Sequence, residues 1–391
     1  MLTSIAYILL LGLFLGYASK KLGLPPLIGM LLTGVILGSS GLNLLSDSLL
    51  AISADLRKIA LVIILIRAGL ALNIKDLKKV GLSALLMSFM PACLEIIGVV
   101  IIAPLLFDVS IIEAALLGSV LAAVSPAVIV PKMLYMIENN IGTKKSIPQM
   151  IMAGASVDDI FVIVLFSAFS TLAEGGAVHA GSFIQIPVSI ISGVCVGVIF
   201  GYMLTIYFKN FHMRDSIKLL LMLAVSFVLL AIEDATKGSF SFSSLLAIMT
   251  MSITILNKYS ILAKRISPKF SKLWIPAEVL LFVLVGATLD LGFAMSAGFN
   301  SIILIFSVLV FRMLGVFISV LRAKITAKER LFCMLAYIPK ATVQAAIGAI
   351  PLSMGLQCGN IILTVAIVSI IITAPLGAFL IEKGYKLIDR D

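Results

Sequence analysis

Long apolar runs separated by short polar connections dominate the chain. A helix crosses a bilayer with about 20 mostly apolar residues, and these runs have that length and composition. The pattern therefore predicts an all-α polytopic membrane protein with about 13 transmembrane helices, whose boundaries are good to a few residues. The predicted segments are approximately 3–19, 25–41, 57–73, 80–106, 111–136, 147–172, 183–208, 216–234, 240–257, 272–290, 298–322, 329–352 and 357–382.

Composition and loop length narrow the class of protein. The 391 residues are 61% hydrophobic and only 12% charged, whereas soluble domains are about 25% charged. The connections are too short to hold a soluble domain or a catalytic site, so an enzyme is the least favoured class. We expect residues 1–391 to form a single integral membrane unit without a cofactor.

Basic residues are distributed unevenly between the two sets of segment ends. One set carries most of the Lys and Arg, whereas the other holds only Arg57, Lys58 and Lys237. Short-loop cations stay cytoplasmic. This predicts a cell-membrane protein with a cytoplasmic C-terminus and an outside N-terminus. The same bias explains the net charge of +10, so no nucleic-acid partner is predicted.

The hydropathy pattern repeats along the chain. Gly69 and Gly286 lie in similar runs of small residues 217 positions apart, and this shift places the first six segments on the last six. Because one further segment separates the two units, the second must enter the membrane upside down. Inverted six-helix repeats are typical of secondary transporters with a mid-membrane site on broken helices.

Two prolines predict where those helices break. Pro126 and Pro339 lie within apolar segments at related places, and proline removes a backbone donor from a helix. Ser125 corresponds to Thr342 in the other repeat. Two unwound stretches would cross near the centre, where their freed carbonyls could bind a cation. The alternative is a pair of kinks with only packing roles.

Two adjacent acids, Asp158 and Asp159, lie in the middle of segment 147–172. An ionisable group at that depth is costly, and two like charges cost more. The alternative is a helix end at the membrane surface. Lys340, beside the second break, would need a buried counter-ion, for which Asp158 and Asp159 are the candidates.

Glu95 and Arg312 are also intramembrane charges, and they occupy the same place in the two repeats, 217 positions apart. We predict that they form a structural ion pair; two independent snorkelling side chains are the alternative. Arg67 and Glu278 form a weaker candidate pair.

These residues resemble those of the monovalent cation:proton antiporters, specifically the sodium/proton antiporters with an aspartate pair. The resemblance covers nearly the whole chain and is closest to the electrogenic bacterial type and its animal relatives. The chain departs from electroneutral exchangers, which carry Asn-Asp in place of Asp158-Asp159. The matching stretches are Gly-Leu-Pro-Pro-Leu-Ile-Gly at 23–29, Arg-Ala-Gly-Leu at 67–70, Ser-Pro-Ala at 125–127, Ser-Val-Asp-Asp-Ile at 156–160 and Pro-Lys-Ala-Thr-Val-Gln-Ala-Ala at 339–346.

The resemblance implies the sodium/proton antiporter fold, with a core transport domain at approximately 80–172 and 298–382. A dimerisation or scaffold domain would comprise approximately 1–79 and 183–290, and the protein would be a homodimer in the lipid bilayer. The core would move like an elevator against the scaffold.

The resemblance also implies roles for the site residues. Asp159 would bind Na⁺, and Asp158 would pair with Lys340, which could be coupled to proton movement. Possible further ligands are Val124, Ser125 and Ser156, together with Thr342, the repeat partner of Ser125.

The expected function is exchange of Na⁺ or Li⁺ for H⁺ by alternating access. Cation and protons would compete for one site, and two protons per cation would make transport electrogenic. A K⁺/H⁺ antiporter of the same family remains an alternative. A sodium-coupled organic-anion carrier would need more polar side chains around the crossing, and a channel would need a pore open to both sides.

Overall fold

The computed structural model describes residues 1–71, 81–174, 182–236 and 242–388, and within these ranges the chain forms helices and loops without β-strands. Lys237, on which the predicted orientation partly rests, lies outside them. The helices are α1 (Leu2–Lys21), α2 (Pro26–Leu37), α3 (Asp47–Ala51), α4 (Ser53–Ala71), α5 (Leu82–Met87), α6 (Met90–Leu106), α7 (Ile111–Leu121), α8 (Pro126–Glu138), α9 (Ile147–Glu174), α10 (Ser182–Asn210), α11 (Asp215–Thr236), α12 (Ser244–Lys258), α13 (Ser260–Ala287), α14 (Leu291–Val320), α15 (Ala327–Ala336), α16 (Thr342–Ile347), α17 (Ile350–Ser353), α18 (Gly359–Gly384) and a 3₁₀ turn, Tyr385–Leu387.

Each predicted apolar segment overlaps at least one of these helices. Within the described ranges, nine spans are long and apolar enough to cross a membrane, counting α5 with α6 and α7 with α8 as one span each. Shorter apolar helices are α2, α12 and the stretch Thr342–Ser353. The prediction of an all-α polytopic membrane protein is therefore confirmed, whereas the count of 13 and the inverted repeat stay predictions.

Helices break at both predicted prolines. α7 ends at Leu121 and α8 begins at Pro126, while α15 ends at Ala336 and α16 begins at Thr342. Two further breaks, between α5 and α6 and between α16 and α17, were not predicted. In each of them a proline lies in the first turn of the following helix, where its missing N–H costs nothing. The sequence stays apolar across such a break, so the hydropathy pattern predicts one continuous segment there.

The chain divides into two compact units: residues 1–54, 73–162 and 279–391 form the first, and residues 55–72 and 163–278 form the second. Nearly all of the predicted core domain lies in the first unit. Residues 1–54, which we assigned to the scaffold domain, belong to that unit as well. The division into transport and scaffold domains stays a prediction.

In the first unit, α6 and α14 approach closely because glycines line their contact. A Cβ at Gly315 would lie 2.6 Å from the Cα of Pro91, and a Cβ at Gly98 would lie 2.8 Å from the ring of Phe311. Side chains three positions before these glycines lie on the same helix faces. This contact therefore brings Glu95 of α6 towards Arg312 of α14.

In the second unit, α10 packs along α12 through a glycine stripe. A Cβ at Gly193 would lie 2.8 Å from the carbonyl oxygen of Ser243, and one at Gly201 would lie 2.7 Å from that of Met251. The close packing of α10 on α12 thus depends on the absence of side chains there. Glu278, in the same unit, interacts electrostatically with Arg67.

Candidate functional site

The two predicted helix breaks lie side by side in the first unit. The backbone N–H of Ser125 donates to the carbonyl oxygen of Pro339 at 2.8 Å. The N–H of Lys340 donates to the hydroxyl of Thr373 on α18 at 3.0 Å, which holds the second break in place. The breaks are therefore bonded to each other and to a continuous helix.

Three consecutive carbonyls at the end of α7 accept hydrogen bonds from side chains of the second half of the chain. The oxygen of Leu121 accepts from Lys340, and that of Ala122 accepts from Arg312. Gln344 donates to the oxygen of Ala123 at 2.6 Å. The C-terminal end of a helix carries partial negative charge, so it stabilises the two cations that it faces.

A buried ion network joins these cations to the acids. Arg312 Nη1 lies 2.7 Å from Glu95 Oε2, and Lys340 Nζ lies 2.6 Å from Glu95 Oε1. Glu95 and Arg312 thus form the ion pair that their repeat positions suggested. All three side chains are at most 1% exposed, so none of the three charged groups can reach water without a change of structure.

Asp158 is bound to Arg312 rather than to Lys340. Its Oδ2 lies 3.3 Å from Arg312 Nη2 and accepts a hydrogen bond of 2.8 Å from the N–H of Val124. The pairing of Asp158 with Lys340, which the resemblance implied, therefore differs from the observed contacts. The physical reason is that Glu95 and the carbonyl of Leu121 occupy the ammonium, while Arg312 is long enough to bridge both acids.

Asp159 is the one acid of this buried group for which the described residues supply no ionic partner. It is 8% exposed, its Oδ1 lacks a hydrogen-bond partner, and it forms no ion pair with the residues that the structure describes. We define the charge cluster as Glu95, Asp158, Asp159, Arg312 and Lys340. With all five side chains ionised, its three carboxylates and two cations leave one uncompensated negative charge.

The other predicted ligands differ in burial, and only some of them lie at the helix breaks. Ser125 is fully buried at the first break, and its hydroxyl has no hydrogen-bond partner among the described residues. Thr342 is buried at the start of α16. Ser156 is exposed, and its hydroxyl donates to Met152 of its own helix at 2.8 Å, so it is not part of the buried cluster.

Two buried residues of the site escaped the sequence analysis. Gln344 accepts a hydrogen bond from the N–H of Ala341 at 2.8 Å while its amide donates to the other break. Tyr337 lies 5.5 Å from Arg312 in a cation–π contact. Its hydroxyl faces Gly154 and finds no hydrogen-bond partner within the described ranges. A polar side chain within a few residues of a mid-membrane proline is the signal that could have found both.

Comparison with known sequences identifies the family. The sodium/hydrogen exchanger transmembrane family matches residues 6–382. Sodium/hydrogen exchanger 9B2 of Mus musculus is 34% identical over 374 residues, which cover 92% of this chain and 67% of the relative. The Homo sapiens 9B2 and 9B1 exchangers are 32% and 31% identical, each over 94% of this chain and over 70% and 73% of their own lengths. The chain belongs to the sodium/hydrogen exchanger family, a family of transporters.

Solved structures support the fold. The sodium proton antiporter MjNhaP1 from Methanocaldococcus jannaschii superposes with a TM-score of 0.82, covering 99% of this chain and 98% of its own, at 20% identity. A second structure of that protein gives a TM-score of 0.76 at 19% identity, over 98% of this chain and 96% of its own. The resemblance drawn from the sequence motifs is thus confirmed for both family and fold.

Proposed function

We propose that the protein exchanges Na⁺ or Li⁺ for H⁺ at the charge cluster, with Asp159 as the residue that binds either ion. The observation that carries the proposal is the single negative charge left when all five side chains are ionised. One proton or one monovalent cation removes that charge, whereas a divalent cation would reverse it. The site is therefore matched in charge to the two ions of the exchange.

Competition between the two ions follows from the cost of burial. A net charge in a poorly solvated place costs several kcal/mol unless it is paired. The empty cluster is thus unfavourable, and each ion relieves the same charge, so they exclude one another. The orphaned hydroxyls of Ser125 and Tyr337 are the candidate neutral ligands that would distinguish a bound cation from a proton.

Several features of the transport cycle belong to the same proposal. We expect alternating access by an elevator motion of the core domain, a homodimer formed through the scaffold domain, and residence in the cell membrane with a cytoplasmic C-terminus. The uneven distribution of basic residues supports the orientation. The break region supports the motion, because side-chain hydrogen bonds can hold both half-helices together as one body.

Proton-flux assays on proteoliposomes, with Na⁺, Li⁺ and K⁺ added in turn, test the function. We expect Na⁺ and Li⁺ to release protons, and Asp159→Asn to abolish the response while the protein still folds. Asp108→Asn removes an exposed acid of a loop and serves as the control with unchanged exchange. Full Na⁺-driven proton movement in Asp159→Asn, or a response to K⁺ alone, would contradict the proposal.

A further inference from the structure

A cavity of about 790 Å³ lies within the second unit, away from the charge cluster in sequence. The end of α10, the loop that follows it, the start of α11 and the first part of α13 form its walls. Cavities of this size are large enough for a small ligand. Its composition indicates which ligand it suits.

The cavity is strongly basic. Asp215 is the only acid among its lining residues, and that carboxylate lies 3.1 Å from Arg265. The cations that remain without an acid in the lining are Lys209, Arg214, Lys218 and Lys269. Like charges gathered around a concave surface repel one another, and an anion bound between them removes that repulsion.

Lys218 is a buried cation in the cavity lining, which distinguishes this cavity from a solvated surface patch. This residue is only 4% exposed, and its ammonium donates to the carbonyl oxygen of Phe208 at 3.2 Å while lying 5.7 Å from the Phe208 ring. An ammonium has three donors, and the carbonyl uses one of them. Lys218 is thus a buried cation with two unused donors and no carboxylate contact in the part of the chain that the structure describes, which favours an anionic partner.

Aromatic residues and nearby helix ends indicate that the cavity lies at the depth of lipid headgroups. The span in α10 ends beside the cavity, and the span in α11 begins beside it. The rings of Tyr207 and Phe211 are tilted against each other with their centroids 4.7 Å apart, and Lys209 lies 5.5 Å from the ring of Tyr259. Tyrosines and basic residues at the end of a span are typical of the membrane interface, where basic pockets bind acidic headgroups.

We propose that this cavity is a binding site for a phosphate-bearing anion, held by Lys218 and Lys269 with the guanidinium of Arg214. Guanidinium and ammonium groups are the side chains that bind phosphate oxygens most strongly. The phosphate can come from an anionic phospholipid of the bilayer or from a soluble phosphate compound. None of the cavity residues belongs to the charge cluster.

Thermal stability of the purified full chain in a neutral detergent tests the proposal. The probes are dioleoyl phosphatidic acid, dioleoyl phosphatidylcholine and sodium pyrophosphate, each titrated while Tm is followed. We expect phosphatidic acid or pyrophosphate to raise Tm in a saturable manner and phosphatidylcholine to have no comparable effect. A response to phosphatidic acid alone identifies the lipid as the source, and a response to pyrophosphate identifies a soluble phosphate.

Matched variants locate the binding. Arg214→Gln and Lys269→Gln remove cavity cations that are not fully buried, so we expect folded proteins whose affinity for the effective probe falls about fivefold for each charge removed. Lys264→Gln removes an exposed cation of the same helix α13, outside the cavity lining, and should bind as the wild type does. The proposal is overturned if no phosphate probe raises Tm, if phosphatidylcholine acts equally, or if Lys264→Gln weakens binding as much as Lys269→Gln.

Discussion

At the scale of single residues, one guanidinium connects most of the charge cluster. Arg312 contacts the carboxylates of Glu95 and Asp158 and donates to the carbonyl oxygens of Ala122 and Tyr337. The five N–H donors of a guanidinium lie in one plane, whereas the three of an ammonium radiate from a point. A lysine could therefore not reach two acids on different helices and both helix breaks at once.

Neutralising one member of the central pair should destabilise the protein. We expect Glu95→Gln and Arg312→Gln each to cost about 3–5 kcal/mol, because each leaves a buried charge without its partner. The double variant Glu95→Arg with Arg312→Glu should not regain the lost stability. In that variant a guanidinium would lie beside Lys340 and a carboxylate beside Asp158. Thermal unfolding in detergent measures both effects.

The half-exposed pair Lys132–Glu382 provides the control for this experiment. Its side chains are 28% and 56% exposed, so each single neutralisation should change stability by no more than about 1 kcal/mol and the exchanged pair should behave as the wild type. If the double variant Glu95→Arg with Arg312→Glu had wild-type stability, the contacts of Lys340 and Asp158 with this pair would not contribute to stability.

Gln344 should be as important as the charges. Gln344→Leu removes the donor to Ala123 and the acceptor for the N–H of Ala341, and each buried group left unpaired costs about 1–3 kcal/mol. We expect a lower Tm together with slower exchange. Gln357→Leu, at an exposed position, is the control. Unchanged stability and exchange in Gln344→Leu would mean that the amide does not hold the two breaks together.

At the scale of helices, the position of each proline determined which helix breaks could be predicted from the sequence. The breaks at Pro126 and Pro339 were predictable because proline lies well inside a long apolar segment. The break before α6 was not, since Pro91 fits the first turn of a helix. The Glu95–Arg312 pair follows from a fixed sequence shift. The partner of Lys340 does not, because several buried acids satisfy an ammonium and only packing selects among them.

The contact between α6 and α14 offers a test within one helix. Gly315→Ala places a methyl group against the backbone of Pro91, so we expect a loss of about 1–3 kcal/mol and weaker exchange as Glu95 and Arg312 separate. Gly298→Ala, on the same helix, meets nothing within 4 Å and should be neutral or slightly stabilising. The two variants are compared by Tm and by proton flux. Equal behaviour of both would contradict the proposed role of close packing.

At the scale of the whole molecule, the measurable quantity is the charge moved in each cycle. If a proton also leaves Lys340 when a cation enters, two protons cross for each Na⁺ and the exchange produces a current, although one negative charge then remains in the cation-bound cluster. We expect the wild type to give a transient current on a Na⁺ pulse in solid-supported-membrane recordings. Lys340→Gln should lose that current, whereas some electroneutral exchange survives.

Lys383→Gln, in the exposed last turn of α18, is the control for this recording and should keep the wild-type current. An unchanged current in Lys340→Gln would assign that lysine a fixed structural charge instead. Exchange by the wild type without any charge displacement would contradict the electrogenic cycle itself, and it would leave the competition at Asp159 intact.

The three capped carbonyls of α7 also have a consequence for the order of assembly. Leu121, Ala122 and Ala123 receive their hydrogen bonds from Arg312, Lys340 and Gln344, which are synthesised about 200 residues later. At roughly 5–20 residues per second, the ribosome needs on the order of 10 to 40 s to cover that interval. During it the native bonds to the break do not exist. Until then these three carbonyls must lack hydrogen bonds or bind other donors, and the charge cluster is complete only when the last third of the chain has entered the membrane.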